Sequence, residues 1–253
     1  MPNWCSTSFV FRGPEEQIKE LHKKALTEDG FSLLQTFLPC PKELKETTST
    51  TAWEEIPEQW AEWVADGTWT QEKYDERVAE NTKLLEQQKS NLEKYGVKDW
   101  YEWEHKNWGV KWGDCETYME EPAPYAFGDL WQVGGAFQTP WGTATPAWIQ
   151  ISEMFPNIMF EFEHDEEAGF FAGTELIING EVVFDLMYEP CEYPKEVDWD
   201  NEDDIEEYDQ WRSDKSEEIA EKATAVLVAY GFLAPKPTPK KATATTTGTT
   251  WWK

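Results

Sequence analysis

Basic residues are scarce in this chain: 22 lysines and arginines stand against 50 aspartates and glutamates in 253 residues, a formal net charge of −28. A molecule so negative repels nucleic-acid phosphate and anionic lipid headgroups at long range and attracts basic surfaces. That excludes nucleic acid and membrane as direct partners and points to a basic protein, one that itself binds DNA being the natural fit. Cysteine is sparse as well. Cys5, Cys40, Cys115 and Cys191 are scattered with no Cys-x-x-Cys pair, so neither a zinc site nor a disulfide framework is indicated. No stretch approaches the roughly 20 apolar residues that span a bilayer, and the opening Met1-Pro2-Asn3-Trp4 lacks the basic and apolar regions of a secretory leader. The expectation is a soluble, cytoplasmic protein. Oligomeric state is not legible.

Motifs of chemistry are missing too. There is no Gly-x-Ser-x-Gly elbow and no glycine-rich loop before a Lys-Ser or Lys-Thr pair. The three histidines, His22, His105 and His164, lie far apart. The run Asp198-x-Asp200-x-Glu202-x-Asp204 spaces its oxygens like a calcium loop, but Asp203 stands where the sharp turn needs glycine. Glu161, Glu163 and Asp165 alternate along an expected strand with His164 on its other side, as a solvated sheet face requires. The reading is no enzyme, no cofactor and no metal.

Aromatic residues, by contrast, are abundant: 16 Trp, 9 Tyr and 13 Phe, enough for a substantial core. Residues 4–12 alternate as a strand, Gly13-Pro14 opens a helix with Ile18, Leu21 and Ala25 on one face, and the apolar run 31–38 reads as a second strand. Helices follow between 47 and 95: one opened by Pro57 that carries Trp60, Trp63 and Val64, and one capped by Thr70 with the stripe Tyr74, Val78, Leu85 and Leu92, stopped by Gly96. Residues 125–137 offer strand material interrupted by a bulge at Gly134-Gly135, Thr145-Pro146 starts a helix that ends at Phe155-Pro156, and a strand covers 158–162. Asn179-Gly180 joins two more strands as a hairpin. Eight acids and no base occupy 198–209, after which Ile219, Ala223, Val226, Leu227 and Tyr230 mark a closing helix. Beyond residue 233 the Pro-, Lys- and Thr-rich tail has too little apolar material to fold alone.

Three separated blocks carry a family resemblance: Met1-Pro2-Asn3-Trp4-Cys5; Trp100-Tyr101-Glu102-Trp103 with Asn107-Trp108-Gly109-Val110-Lys111-Trp112; and Pro146-Ala147-Trp148 running to Phe155-Pro156. Together they resemble the YubB-type, or Api ninety-two-like, ferredoxin-like proteins of phages and plasmids. The resemblance implies a ferredoxin-like fold, a mobile-element origin in a bacterial host and no known reaction. The fold class is then α+β: a ferredoxin-like split βαβ core over 1–46 and 97–190, its sheet extended by an extra C-terminal hairpin, a helical insertion over 47–96, the acidic segment and C-terminal helix in 191–233, and a low-complexity tail over 234–253.

Two binding surfaces follow. Carboxylates recur on elements expected to be ordered: Glu58, Glu62, Glu72, Asp75 and Glu76 in the insertion, and Asp198, Asp200, Glu202, Asp203, Asp204, Glu206 and Glu207 near the C-terminus. Phosphates recur about every 1.7 Å along duplex DNA, so carboxylates on rigid helices can imitate that ladder and engage a basic, DNA-binding host factor, as an anti-defence protein would. The alternative is a nucleotide held in an aromatic pocket of Trp100, Trp103, Trp108 and Trp112, with Lys111 on its phosphate. The bland reading of that block is core packing.

Overall fold

A computed structural model describes residues 2–28, 30–120 and 123–234. The tail with Lys236, Lys240, Lys241 and Lys253 lies outside the described residues. Strand β1 (Trp4–Gly13) runs straight into α1 (Glu15–Ala25), with Pro14 in extended backbone at its N-cap and Ile18, Leu21 and Ala25 buried. A two-strand ribbon, β2 (Leu26–Thr27) and β3 (Gly30–Phe31), leads to the short helices α2 (Leu34–Phe37) and α3 (Lys42–Lys45). The expected strand over 31–38 is therefore corrected to a ribbon end and a helix. The cause is a long-range cap: the Asp114 carboxylate accepts hydrogen bonds from the Leu33 and Leu34 amides at 2.9 and 2.8 Å, which turns the chain out of extended geometry.

Helices α4 (Glu58–Ala65) and α5 (Gln71–Tyr95) follow, with Pro57 and Thr70 at their N-caps and Gly96 in the left-handed region closing α5. The apolar stripe of α5 does not form its buried face: Leu92 is exposed, and Asn81, Gln88 and Asn91 are buried instead. Asn81 bonds both backbone groups of Trp53, Gln88 donates to the Thr50 carbonyl, and Asn91 donates to Thr47 and the Lys98 carbonyl. Segment 47–53 is irregular backbone with groups to satisfy, and amides do so where leucine could not.

After α6 (Trp100–Asn107) come β4 (Cys115–Met119), β5 (Tyr125–Phe127), β6 (Leu130–Pro140), α7 (Thr145–Met154), β7 (Met159–Glu166), the hairpin β8 (Ala172–Ile178) and β9 (Glu181–Tyr188), and α8 (Glu202–Ala229). The sheet order is β4-β6-β1-β7-β8-β9, antiparallel throughout, with β5 on β6. Its first four strands with α1 and α7 form two interleaved βαβ units, β1-α1-β4 and β6-α7-β7, which is the ferredoxin-like pattern. The hairpin, turned by Asn179 and Gly180 at positive φ, extends the sheet beyond β7. Gly134-Gly135 is no bulge. Both residues pair in unbroken register with Val10 and Phe9, and the irregularity sits in the neighbouring β4 between Cys115 and Tyr118. A Cβ at Gly135 would stand 2.2 Å from the Tyr118 carbonyl oxygen and 2.8 Å from the Phe9 ring, so glycine is required for close strand approach.

Strand alternation divides the core. Phe9, Phe11, Phe137, Phe160 and Phe162 point to the α1 and α7 side and pack around Trp148, with ring centroids 4.8 Å apart for Trp148 and Phe162. Met159 and Leu176 point the other way and meet Ala223 and Leu227 of α8. Helix α8 begins within the acidic run rather than after it. Glu202, Asp203 and Asp204 in its first turn are favoured by the helix dipole. Among the described residues no helix is long and apolar enough to cross a membrane.

Candidate functional site

The acids of the insertion, Glu58 and Glu62 on α4 and Glu72, Asp75 and Glu76 on α5, are all exposed. They flank an indole cluster in which Trp69 lies 5.7 Å from Trp60 and 4.7 Å from Trp63. The second group is mounted on the start of α8. Asp198, Asp200, Glu202, Asp203, Glu206 and Glu207 are exposed and Asp204 is half-buried. Part of this charge is structural: Asp204 accepts from the Asp198 amide, Asp198 from the Asp200 amide, and Asn201 caps the helix through the Asp203 amide. Glu207 pairs with Lys195, which raises the lysine pKa. The two groups ride on separate elements, α4 and α5 packing together and α8 on the β8–β9 hairpin.

The tryptophan block divides. Trp108 is completely buried and donates its indole N–H to the Leu38 carbonyl at 2.9 Å, and Trp103 packs edge-on against it at 5.4 Å. Neither ring has a face to offer a base, so the pocket drawn from sequence is corrected: Trp103 and Trp108 are core. Trp100, Lys111 and Trp112 lie outside it, with the Lys111 ammonium 4.1 Å from the Trp112 ring and 5.7 Å from that of Trp100. Trp112 stacks obliquely on Trp141 at 6.0 Å. Both indoles are exposed and both backbones are left-handed, φ 69° and 64°, a strained conformation for bulky residues that concentrates at functional positions. Glu104, buried beneath, accepts from the Trp112 amide and holds the turn; burial pushes its pKa up.

A recess of about 900 Å³ opens at the head of α8, walled by the turn after β7, segment 190–199 and the first turns of the helix. Tyr193, Trp199 and Tyr208 line it, and Tyr208 stands 5.2 Å from Tyr193 and 5.4 Å from Trp199, both edge-on. Glu166 at the end of β7 is only 3% exposed; by strand alternation its side chain lies with Phe160, Phe162 and His164 on the α1 and α7 side, where its Oε2 accepts from the Ala168 and Phe170 amides and its Oε1 is buried without a partner. Burial disfavours the Arg212 charge, but its bonds to Tyr188 and Asp165 outweigh that and raise its pKa. Sequence reasoning missed this recess. The signal was there: Tyr208 and Trp211 fall three apart on one helix face inside an acidic run, with Trp199 just upstream.

A second buried polar group crosses the sheet. His164 Nδ1 bonds Thr7 Oγ1 at 2.9 Å, its Nε2 lies 3.8 Å from Glu175, and Glu175 accepts from Thr145. Among the described residues no three His, Cys, Asp or Glu converge in a way that could hold a metal ion.

No curated protein matches the chain. A crystal structure of a protein api92 from Yersinia pseudotuberculosis is similar at 9% identity and a TM-score of 0.38, over 75% of this chain and 98% of that one. Residues 129–210 match the family model described as the ferredoxin-like domain in Api92-like protein. That segment runs from β6 into α8 and omits β1, the strand that here joins β6 to β7. Over residues 129–210 the chain is thus similar to the ferredoxin-like domain in Api92-like protein.

Proposed function

We propose that this chain is a non-enzymatic phage or plasmid accessory protein that binds a basic, DNA-binding protein of the bacterial host and occludes its DNA site. One observation carries the reading: of the twelve acids singled out on α4, α5 and the start of α8, all but Glu207 have no basic partner among the described residues, and all sit on or beside ordered helices. Unpaired carboxylates on rigid supports keep their field for a partner, whereas the same charge on a loose coil would be costly to order. The test is competition. In a gel shift the chain should displace duplex DNA from purified basic nucleoid proteins, and its affinity should fall as salt shortens the screening length below about 8 Å. Affinity indifferent to salt, or no displacement at low salt, overturns the reading.

A second reading, nucleotide sequestration, is supported by the exposed Trp112 and Trp141 pair with Lys111 above it. A nucleotide at 100 times its Kd would add about 2.7 kcal/mol of stability in a thermal-shift screen. A flat screen rejects it.

A further inference from the structure

The side of the sheet away from α1 and α7 is covered unequally. Helix α8 packs on β8 and β9, while toward β4 the face stays open: Ser8 of β1, Tyr118 of β4 and Glu163 of β7 are exposed. A groove of about 550 Å³ runs there, with Ser6, Ser8 and Ala136 in its floor and Tyr118 and Ile219 in its walls. Glu116 and Glu163 line it, and Glu120 continues the same face, its Oε2 3.1 Å from where a Cβ on Gly134 would stand. None of these three carboxylates has a basic partner among the described residues, whereas Glu161 is paired with Arg12 and Asp165 with Arg212.

The chain itself supplies a complement to this face. Residues 235–253, outside the described residues, hold Lys236, Lys240, Lys241 and Lys253 and none of the 50 acids. Their point of departure is fixed, because Phe232 and Leu233 pack against the Met159 and Leu176 cluster and both of their amides donate to the Leu227 carbonyl. Met159 is the first residue of β7, and Glu163 lies four residues along that strand, about 13 Å away. The six residues from Ala234 to Lys240 reach about 20 Å when extended. We propose that residues 235–253 dock back into this groove as an intramolecular strap, with Lys240 and Lys241 against Glu116, Glu120 and Glu163. Exposed ion pairs are weak one by one, and the tether makes several count together by holding the lysines at an effective concentration on the order of mM. The outer acids of α8 stand on a convex helix, where a strap would be ordered without burying anything, whereas the groove has a wall on each side. The proposal is independent of the basic-partner reading, whose acids lie on other elements.

The test is zero-length carbodiimide cross-linking of the full chain at low salt, in an equal mixture of unlabelled and nitrogen-15-labelled chains, followed by peptide mass mapping. Lys240 and Lys241 should join Glu116, Glu120 and Glu163 several-fold more often than Glu58, Glu62 or Glu217, in light–light and heavy–heavy products, and the yield should fall as salt is raised. Ser8→Lys puts a like charge in the floor without removing a reacting carboxylate. It should cut the cross-links to Glu116 and Glu120 about fivefold. Thr68→Lys, an equal change of charge at an exposed position between α4 and α5, should alter them by less than about twofold. Urea midpoints check that both variants fold, and the map of the unsubstituted chain decides independently of either. Cross-links that are absent, or spread evenly over the surface acids, overturn the proposal. So do products confined to light–heavy pairs, which would make a second copy the occupant, and equal effects of the two lysine substitutions.

Discussion

The two faces of the sheet are built by opposite means. Under α1 and α7, five phenylalanines and Trp148 interlock in a dry layer whose members are at most 2% exposed. Under α8, a cluster of Met159, Leu176, Ala223 and Leu227 holds only the C-terminal half of the helix. The N-terminal half is propped by Tyr193, Tyr208 and Trp211 and leaves its carboxylates outward. The first face fixes the fold. The second is a platform that a minimal hydrophobic contact secures, so that charge and aromatic rings remain available.

Substitution distinguishes the faces most sharply in their cores. Phe162→Ala empties a site surrounded by Phe11, Phe137 and Trp148 and should cost about 4 kcal/mol in urea unfolding, while Leu227→Ala, at the edge of the small cluster, should cost about 2 kcal/mol. Equal losses would erase the contrast. Next comes Gly135→Ala, which forces a Cβ against the Tyr118 carbonyl and the Phe9 ring and should cost about 1–3 kcal/mol, with hydrogen exchange accelerating in β4 before β8 and β9. Uniform acceleration would show that β4 is not the strand that gives way. The smallest effect concerns the buried carboxylate on the aromatic side. Because burial raises the Glu104 pKa in the folded state, its contribution is fully present below the ordinary glutamate range and is lost as pH rises through the folded value. Glu104→Gln should therefore raise the urea midpoint at pH 7 and lose that advantage in acid. A gain that persists unchanged at low pH would assign the effect to something other than charge.

Local signals were legible wherever structure is decided by neighbours in the chain. Thr70 and Gly96 bound α5, Asn179-Gly180 turns the hairpin, and the alternation around Phe9 and Phe160 orients both strands, because caps, turns and pleat act over a few residues. Where a distant group intervenes, reading along the chain failed. Residues 34–37 coil because Asp114, some 80 positions away, caps them, and α5 buries amides because segment 47–53 needs its carbonyls and amides satisfied. The tryptophan block showed the same limit. Composition marks Trp103, Trp108 and Trp112 alike, and only packing separates two core indoles from one on the surface.

Net charge, the absence of catalytic motifs and the local caps and turns were determined by sequence alone, since each depends on composition or short-range pattern, whereas β4 takes the place in the sheet expected of residues 31–38. The tertiary structure decided which strand completes the sheet, which aromatics remain exposed, and that Glu166 is buried at the end of β7. Those outcomes depend on groups brought together across the whole chain, and the free energy of a buried carboxylate is set by what surrounds it rather than by what precedes it.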